Sequence, residues 1–591
     1  MKGTTSNVRQ VLEKVDWNER IHKYRQKMLR IPEICIERGY YWTESYMQTE
    51  GEPEIIRRAK ALKHVLQNIS ITIDENDIIA GRTTSKIRGA LLMPEIQWEW
   101  YLKDMDTFHT REWDRFAPLT EEEKKLMREF LPYWKGKCLY ERWLRMIPEP
   151  AKKLHFSNTY VVNTGCVSGM HLAHTAVDYH YVLSKGLLGI KQEVQNRLNV
   201  LELSDHSNFR RYLFYQAVLI AIEGALTYAE RCAQIISELA EKVENPQRKS
   251  ELFLMAQTCK KVPLYPPENF YEAIQFLWFL CLIQRIEAFG PGISLGRLDQ
   301  ILYPYYLRDL QNGLISEQIA KGLLAMLLIK LNDVVPLFSS EFVEQLAGFP
   351  TLANVTVGGE TVDGEDAVNS LTFLILDAEE EVRLTAEELV VRVSPKNPDS
   401  YLKKACQLAK EARGKIKFVG DPITIQMMLT DGNPRARDYV VVGCFTPTVV
   451  ANSFHTSASM VNLPLLLELA LNNGKSRLLN LQLGPATGNP ADFASYEEVW
   501  EAYKKQVEAA VPWGIVNRNI DRQLYAEFAP CPFLSCLYPP CIEKGLDVTW
   551  GGLDPYQTEG HGILGVANVA DSLAVIKKLV FEEKVIKMRE L

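Results

Sequence analysis

The chain has 591 residues, 47% hydrophobic and 24% charged, which is enough to bury a large core and unlike a disordered, collagenous or membrane-spanning composition. Its formal net charge of −7, with Lys and Arg scattered rather than gathered in a stripe, argues against nucleic acid as a partner. The N-terminus has no apolar h-region, and no uninterrupted apolar run approaches the roughly 18 residues of a spanning helix, so no membrane partner is expected and a cytoplasmic location is the default.

In chain order, Val8 to Tyr41 and Pro53 to Gln67 read as helices with apolar residues at offsets of three and four. Thr43-Glu44-Ser45, similar to a capping box, and the Gly51-Glu52-Pro53 break separate them. Ile71-Thr72-Ile73 and Ile78-Ile79-Ala80-Gly81, on either side of Asp74-Glu75-Asn76-Asp77, read as two short strands around an acidic turn. Residues 97–148 carry Trp, Phe and Tyr at helical spacing, the pattern of core aromatics in a helical shell. Long helices are predicted at Val177 to Val200, Asn208 to Lys242, Pro246 to Thr258, Pro267 to Arg285 and Ile315 to Asn332.

The second half changes character. Short β-rich runs fall at Ala353 to Val357, Val390 to Val393, Ile416 to Val419, Val440 to Cys444 and Leu564 to Val566. Helical stretches such as Asp366 to Glu380, Ser400 to Ala412 and Asn462 to Asn472 alternate with them, which calls for an α/β fold with a sheet or barrel beneath helices. With no Pro/Gly/Ser-rich linker and no internal repeat, residues 1–591 read as one domain, helical over about 1–290 and richer in strands afterwards. There is no GxGxxG and no GxxxxGK[ST], so nucleotide binding has no support.

The stretch Arg437 to Pro447 stands out. Tyr439-Val440-Val441-Val442 reads as a buried strand, Gly443-Cys444 as a sharp loop presenting a thiol, and Pro447 as the residue that stops any ladder. The other cysteines form no disulfide framework: eleven, an odd number, are spread from Cys35 to Cys541. Cys531, Cys536 and Cys541, five apart, do not have the CxxC spacing of a structural zinc site. His171, His174 and Asp178 at helical offsets are weak evidence for a metal, and none is expected.

Several blocks in a fixed order carry a resemblance. They are Thr43-Glu44-Ser45-Tyr46 with Thr49 to Pro53 and Arg57 to Leu62, then Gly296-Arg297-Leu298-Asp299-Gln300 with Tyr303 to Tyr306, then Thr356-Val357-Gly358-Gly359. Asn462-Leu463-Pro464 leading to Leu469 to Gly474, Asp547-Val548-Thr549 before Gly551-Gly552, and Gly565 to Leu573 complete the set. The chain resembles a glycyl radical enzyme of the pyruvate formate-lyase type over nearly its whole length. That resemblance implies a ten-stranded α/β barrel of two five-stranded halves, surrounded by helices, with a central cysteine finger loop. Cys444 stands where the family keeps the cysteine that becomes a thiyl radical and abstracts a substrate hydrogen.

Two departures shape what is expected. The family stores its radical on a glycine in a C-terminal Arg-Val-(small)-Gly-Tyr motif, whereas this sequence runs only to Leu591, and its similar string Val391-Arg392-Val393-Ser394 continues with Pro395. The resemblance therefore implies a split enzyme: this chain as catalytic subunit, and a small subunit that bears the glycyl radical. The second departure is Thr446. Dehydratases, C–N and C–S lyases and arylacetate decarboxylases of the family keep a glutamate two residues after the cysteine, and a threonine does not titrate in the useful range. Gly443 replaces the first of two adjacent cysteines of pyruvate formate-lyase, so acyl transfer to coenzyme A is not expected, and Pro291-Gly292 replaces polar residues that polyol dehydratases place near substrate.

The expected reaction is accordingly carbon–carbon bond chemistry, a decarboxylation or an addition to an alkene such as fumarate. The alternatives are a radical dehydratase or C–N/C–S lyase with a replacement base, and a non-catalytic ligand-binding relative. Besides Gly292 and Thr446, the resemblance points to His174, with Asp178 at i, i+4 to orient it, to His455, and to Tyr556 and Glu559 in the loop running to His561. Glu287, just before the Gly290 to Gly292 turn, is a candidate base, with a helix-terminal charge as the simpler account. No cofactor bound by this chain is implied. The partners implied are the small radical subunit, a radical S-adenosylmethionine activating enzyme and a small organic substrate under anaerobic, oxygen-sensitive conditions, with further dimerisation left open.

Overall fold

Runs of β-branched residues with polar residues at their ends make the sheet that organises this protein. A computed structural model describes residues 5–155, 160–163, 174–290, 292–344, 346–412, 415–430, 432–444, 446–451, 454–455, 458–553 and 560–591. They divide into two compact units, Met1–Cys138 with Ser168–Phe454 and Phe528–Thr558, and Leu139–Val167 with His455–Glu527 and Glu559–Leu591.

In the first unit four parallel strands lie in the order Ser294–Arg297, Ala353–Gly358, Glu387–Val393, Lys417–Gly420. Helices Ser370–Val382 and Asp399–Ala412 make the crossovers between the last three, as parallel pairing requires. The α/β class read from the sequence therefore stands. The described residues show this sheet and several smaller ones and do not trace a closed ten-stranded barrel. Around the sheet, helix Phe270–Glu287 is buried along all 18 residues. Helix Phe209–Lys242 is long and apolar enough by composition to cross a membrane, but Phe214, Val218, Ile222 and Ile236 are buried and the helix packs against Glu54–Asn68 and Pro246–Lys261.

Register places the functional half of the sheet. Asn354 lies opposite Glu388, Thr356 opposite Val390 and Gly358 opposite Arg392. Because successive side chains alternate, Glu388, Val390 and Arg392 share one face. A β-hairpin, Tyr439–Val442 with Thr446–Val449, lies on that face. Tyr439, Val441 and Val449 cluster with Val390, and the Val441 N–H donates to Thr356 Oγ1 at 3.4 Å. Val440, Val441 and Val442 are fully buried, each stabilising the hairpin by about 1.5–3 kcal/mol.

Two arginines pin the hairpin root. Arg392 Nε and Nη2 donate to Asp421 at 2.9 and 2.8 Å, Nη1 donates to the Tyr439 carbonyl at 3.1 Å, and the guanidinium lies 4.0 Å from the Tyr439 ring centroid. The Tyr439 hydroxyl donates to Asp421 Oδ1 at 2.6 Å. Arg297 donates to the carbonyls of Gly358, Glu360 and Arg437.

Several expected elements differ. Val8 to Tyr41 is not continuous: Asp16 caps a new helix, Trp17–Met28, and after Pro32 the chain makes strand Glu33–Cys35, paired with Gly89–Leu91. Thr43-Glu44-Ser45 lies inside helix Glu37–Gln48, where Thr43 Oγ1 bonds back to the Gly39 carbonyl instead of capping. Neither Ile71–Ile73 nor Ile78–Gly81 is a strand, and in the second of them side chains take up the backbone groups. Gln275 bonds both the N–H and the carbonyl of Ala80, Tyr271 donates to the Ile78 carbonyl and Trp278 to the Gly81 carbonyl.

Pro447 does not stop the ladder; it sits within it opposite Val441, at an outer strand where a missing N–H is tolerated. In the second unit Ala458–Asn462 pairs in parallel with Gly560–Leu564 and antiparallel with Val162–Asn163. The predicted strand at Leu564 to Val566 thus lies earlier, since Gly565 at φ 74° turns the chain into helix Val566–Ile576. Helix Tyr496–Phe528, whose residues Val499, Ala502 and Ala510 join this unit's core, was not foreseen.

Arg392→Met leaves Asp421 buried and uncompensated, and should cost about 3–5 kcal/mol. Urea unfolding measures this; a loss under about 1 kcal/mol would contradict the anchoring role.

Candidate active site

The hairpin is an arm with Cys444 at its tip. Gly443 and Cys444 follow Val442 at the tip, and Gly443 adopts φ 58°. The root lies at the carboxyl end of strand Glu387–Val393, beside Arg392, and the tip lies by the amino ends of the strands, where Asn354 and Lys417 stand. Asn354 Nδ2 donates to the Gly443 carbonyl at 2.9 Å and Lys417 Nζ to the same oxygen at 3.1 Å. Lys417 also pairs with Glu388. Cys444 itself is exposed and Thr446 is exposed opposite Val442.

The other side of the tip is closed by an imidazole on two glycines. A methyl group at Gly443 would overlap the His174 ring, and one at Gly292, which adopts φ 109°, would overlap the same ring. His174 is held there by its strand, His174–Thr175: the Thr175 N–H donates to the Gly292 carbonyl at 3.2 Å, and the Gly292 N–H donates to the Thr351 carbonyl at 3.3 Å. Small residues at 292 and 443 thus make room for the histidine, so three residues far apart in sequence meet at the cysteine loop.

Electrostatics around the tip favour uncharged forms. Burial pushes the His174 imidazole down to about 4, so it is neutral at physiological pH. Protein around the Cys444 sulfur raises its thiol above the usual range even though the residue is accessible; Lys417 pulls the other way and Glu388 reinforces the rise. Burial likewise raises the Glu388 carboxyl against the pull of Lys417.

Of the residues expected at the site, the structure brings together Cys444, His174, Gly292 and Thr446. Asp178 has a different job. His174 lies in a strand and not on a helix, so no i, i+4 relation exists; Asp178 caps helix Tyr179–Asn199 by accepting the Tyr181 N–H at 2.9 Å. His455 belongs to the second unit and its side chain, like Tyr556 and Glu559, lies outside the described residues. Glu287 is the last residue of helix Phe270–Glu287, as the helix-terminal account has it, but it is buried, and accepts the Phe533 and Leu534 N–H groups at 2.8 Å each, satisfying the start of helix Pro532–Cys536. Burial raises its carboxyl to about 8 against those two donors.

Sequence reading missed Asn354, Glu388 and Lys417. The available signal was a polar residue at or near the start of each β-rich run, where only an apolar residue would be needed for core packing. Cys531, Cys536 and Cys541 are buried with thiols raised by burial, the setting of inert structural cysteines. No cluster of metal-ligating side chains occurs among the described residues. A cavity of about 890 Å³, lined by residues such as Leu154, Leu466, Leu469 and Trp513, belongs to the second unit and contains none of the residues around Cys444.

The chain matches the family model described as pyruvate formate lyase-like over residues 15–591. Isethionate sulfite-lyase of Nitratidesulfovibrio vulgaris is 33% identical over 583 residues, 95% of this chain and 69% of that protein. Trans-4-hydroxy-L-proline dehydratase of Clostridioides difficile is 30% identical over 577 residues, 96% of this chain and 72% of that protein. The glycerol-bound B12-independent glycerol dehydratase of Clostridium butyricum aligns with a TM-score of 0.91 at 34% identity, covering 97% of this chain and 72% of that one.

A histidine whose pKa is depressed on folding contributes stability above its unfolded value of about 6.5 that is lost as pH falls towards 4. Thermal midpoints of His174→Gln should therefore fall less steeply than wild type between pH 6.5 and 4. His155, also pushed down to about 4 by burial, keeps a residual slope. Equal slopes in the two proteins would contradict a buried neutral His174. Gly443→Ala should cost about 1–3 kcal/mol through the left-handed φ and the overlap with His174, read by denaturant unfolding.

Proposed function

The chain belongs to the pyruvate formate lyase-like family, and from that membership we propose that it is the catalytic part of a glycyl radical enzyme in which Cys444 starts an elimination from a small organic substrate. The observation that carries this reading is the position of Cys444 at the tip of a rigidly anchored hairpin, in a protein whose relatives at 30–34% identity are named lyases and dehydratases.

In this reading Cys444 gives its thiol hydrogen atom to a glycyl radical. The thiyl then takes a hydrogen atom from a substrate carbon: one C–H bond breaks, one S–H bond forms, and the unpaired electron passes to the substrate. The substrate radical expels its leaving group and recovers the hydrogen from Cys444. The tip suits such chemistry, since a raised thiol pKa keeps the hydrogen on sulfur and a neutral His174 adds no net charge. The radical-bearing glycine is assigned to a segment outside these 591 residues, on a small partner subunit or on a continuation of this chain, with a radical S-adenosylmethionine activating enzyme as the installer. The same reading takes the parallel sheet as part of the ten-stranded barrel.

A second reading, carbon–carbon bond chemistry such as decarboxylation of an organic acid other than an arylacetate or addition to an alkene, is favoured by one feature. Thr446 stands exposed just beyond the tip and offers a hydroxyl where an elimination would use a titrating base.

The test is an anaerobic assay of activated protein, purified with whatever polypeptides accompany it, against hydroxylated, aminated and sulfonated two- and three-carbon substrates and against small organic acids with and without fumarate. Release of water, amine or sulfite that disappears in Cys444→Ser supports elimination, whereas carbon dioxide release with the same dependence supports the second reading. Turnover that survives Cys444→Ser would overturn both. The intact mass of the glycine-bearing polypeptide decides between a partner subunit and a continuation of this chain.

A further inference from the structure

The Gly443 carbonyl is gripped by two side chains on different strands, and one of them brings an ion pair to the cysteine. Asn354 reaches it from the second strand of the sheet and Lys417 from the fourth, while Glu388, on the strand between, pairs with Lys417. The parallel register sets this up, since Asn354 lies directly opposite Glu388, and Lys417 lies opposite Val390, two residues further along Glu388's strand and on the same face. Asn354 is held in turn by its own Nδ2 contact to the Leu352 carbonyl at 2.9 Å. An asparagine alone would fix the carbonyl. A lysine at this place adds a cation beside a sulfur, and the carboxylate of Glu388 cancels that charge at the same spot.

We propose that Lys417 and Glu388, with Asn354, form a charge-balanced clamp on the Gly443 carbonyl that positions Cys444 and keeps its sulfur as a thiol. The clamp rests on the reading of Cys444 as a hydrogen-atom donor and acceptor. A hydrogen-atom transfer breaks an S–H bond, and a thiolate has no hydrogen to give. An uncompensated lysine close to the sulfur would stabilise the thiolate, the arrangement that suits a nucleophilic cysteine. Pairing the lysine lets the hairpin tip have a charged, strong donor without that consequence. The groups that face the tip are Lys417 on the fourth strand, Glu388 on the third and the His174 ring; Lys415 adds a more distant cation to Glu388. Lys417, Glu388 and Asn354 act through Gly443 and Cys444 and are positioning residues.

The proposal is tested without any radical, by the pH profile of Cys444 alkylation with iodoacetamide under reducing, non-activated conditions. The peptide carrying Cys444 is followed by mass spectrometry, because Cys406 is also exposed. Glu388→Gln leaves the lysine unbalanced and should move the alkylation midpoint down by about one pH unit, the size of shift a nearby charge produces. Lys417→Met should move it up, the double variant should return near wild type, and Lys417→Arg, which keeps cation and donor, should match wild type. Circular dichroism confirms folding; if Glu388→Gln fails to fold, the two Lys417 variants carry the comparison. Glu388→Gln and Lys417→Met midpoints that coincide with wild type would overturn the clamp. Loss of the catalytic reading is seen separately, as turnover that survives replacement of Cys444.

Discussion

The Arg392–Asp421 ion pair, stacked on Tyr439, is the constraint on which the rest of the site depends. Both side chains are fully buried, and a buried pair of this kind is tolerable only when its remaining hydrogen-bonding capacity is used. Here the surplus is spent on the hairpin: the guanidinium takes the Tyr439 carbonyl, and Asp421 takes the Tyr439 hydroxyl and the Glu360 N–H. The pair therefore does more than hold two strands together. It fixes the direction in which four apolar residues leave the sheet, and so decides where Gly443 and Cys444 arrive.

At the far end the same sheet receives the hairpin again. Asn354 and Lys417 hold the tip by one carbonyl, and His174 fills the space that two glycines leave open. An arm fixed at root and tip gives a cysteine little positional freedom while leaving its sulfur accessible. Charge is managed as tightly as position. The imidazole is neutral, the lysine is balanced and the thiol keeps its proton, a setting suited to moving hydrogen atoms and poorly suited to stabilising a thiolate.

Much of this was legible because some signals are local. Tyr439 to Val442 announces a buried strand by composition, Gly443-Cys444 a sharp loop, and the ordered blocks shared with a known family single out Cys444. What failed was whatever depended on partners distant in sequence. Asp178 looked like a neighbour of His174 by helical spacing, but the helix starts after it. Ile78–Gly81 has the composition of a strand, yet side chains of the helix Phe270–Glu287 supply hydrogen bonds that another strand would have made. Pro447 reads locally as a stop, although an outer hairpin strand accepts it. Asn354, Glu388 and Lys417 lie on three strands separated by whole crossover helices, and only register brings them to one carbonyl.

The central claim, that Cys444 exchanges hydrogen atoms with a glycyl radical, is tested most directly by electron paramagnetic resonance in heavy water. Anaerobically activated protein, purified with its native partners, should show a doublet from the α-hydrogen of the glycyl radical. In D2O the Cys444 thiol carries deuterium, and its reversible transfer to the glycine should collapse that doublet to a single line. On this account the collapse occurs in the native protein and the doublet persists in Cys444→Ala. Collapse at the same rate in Cys444→Ala would contradict it.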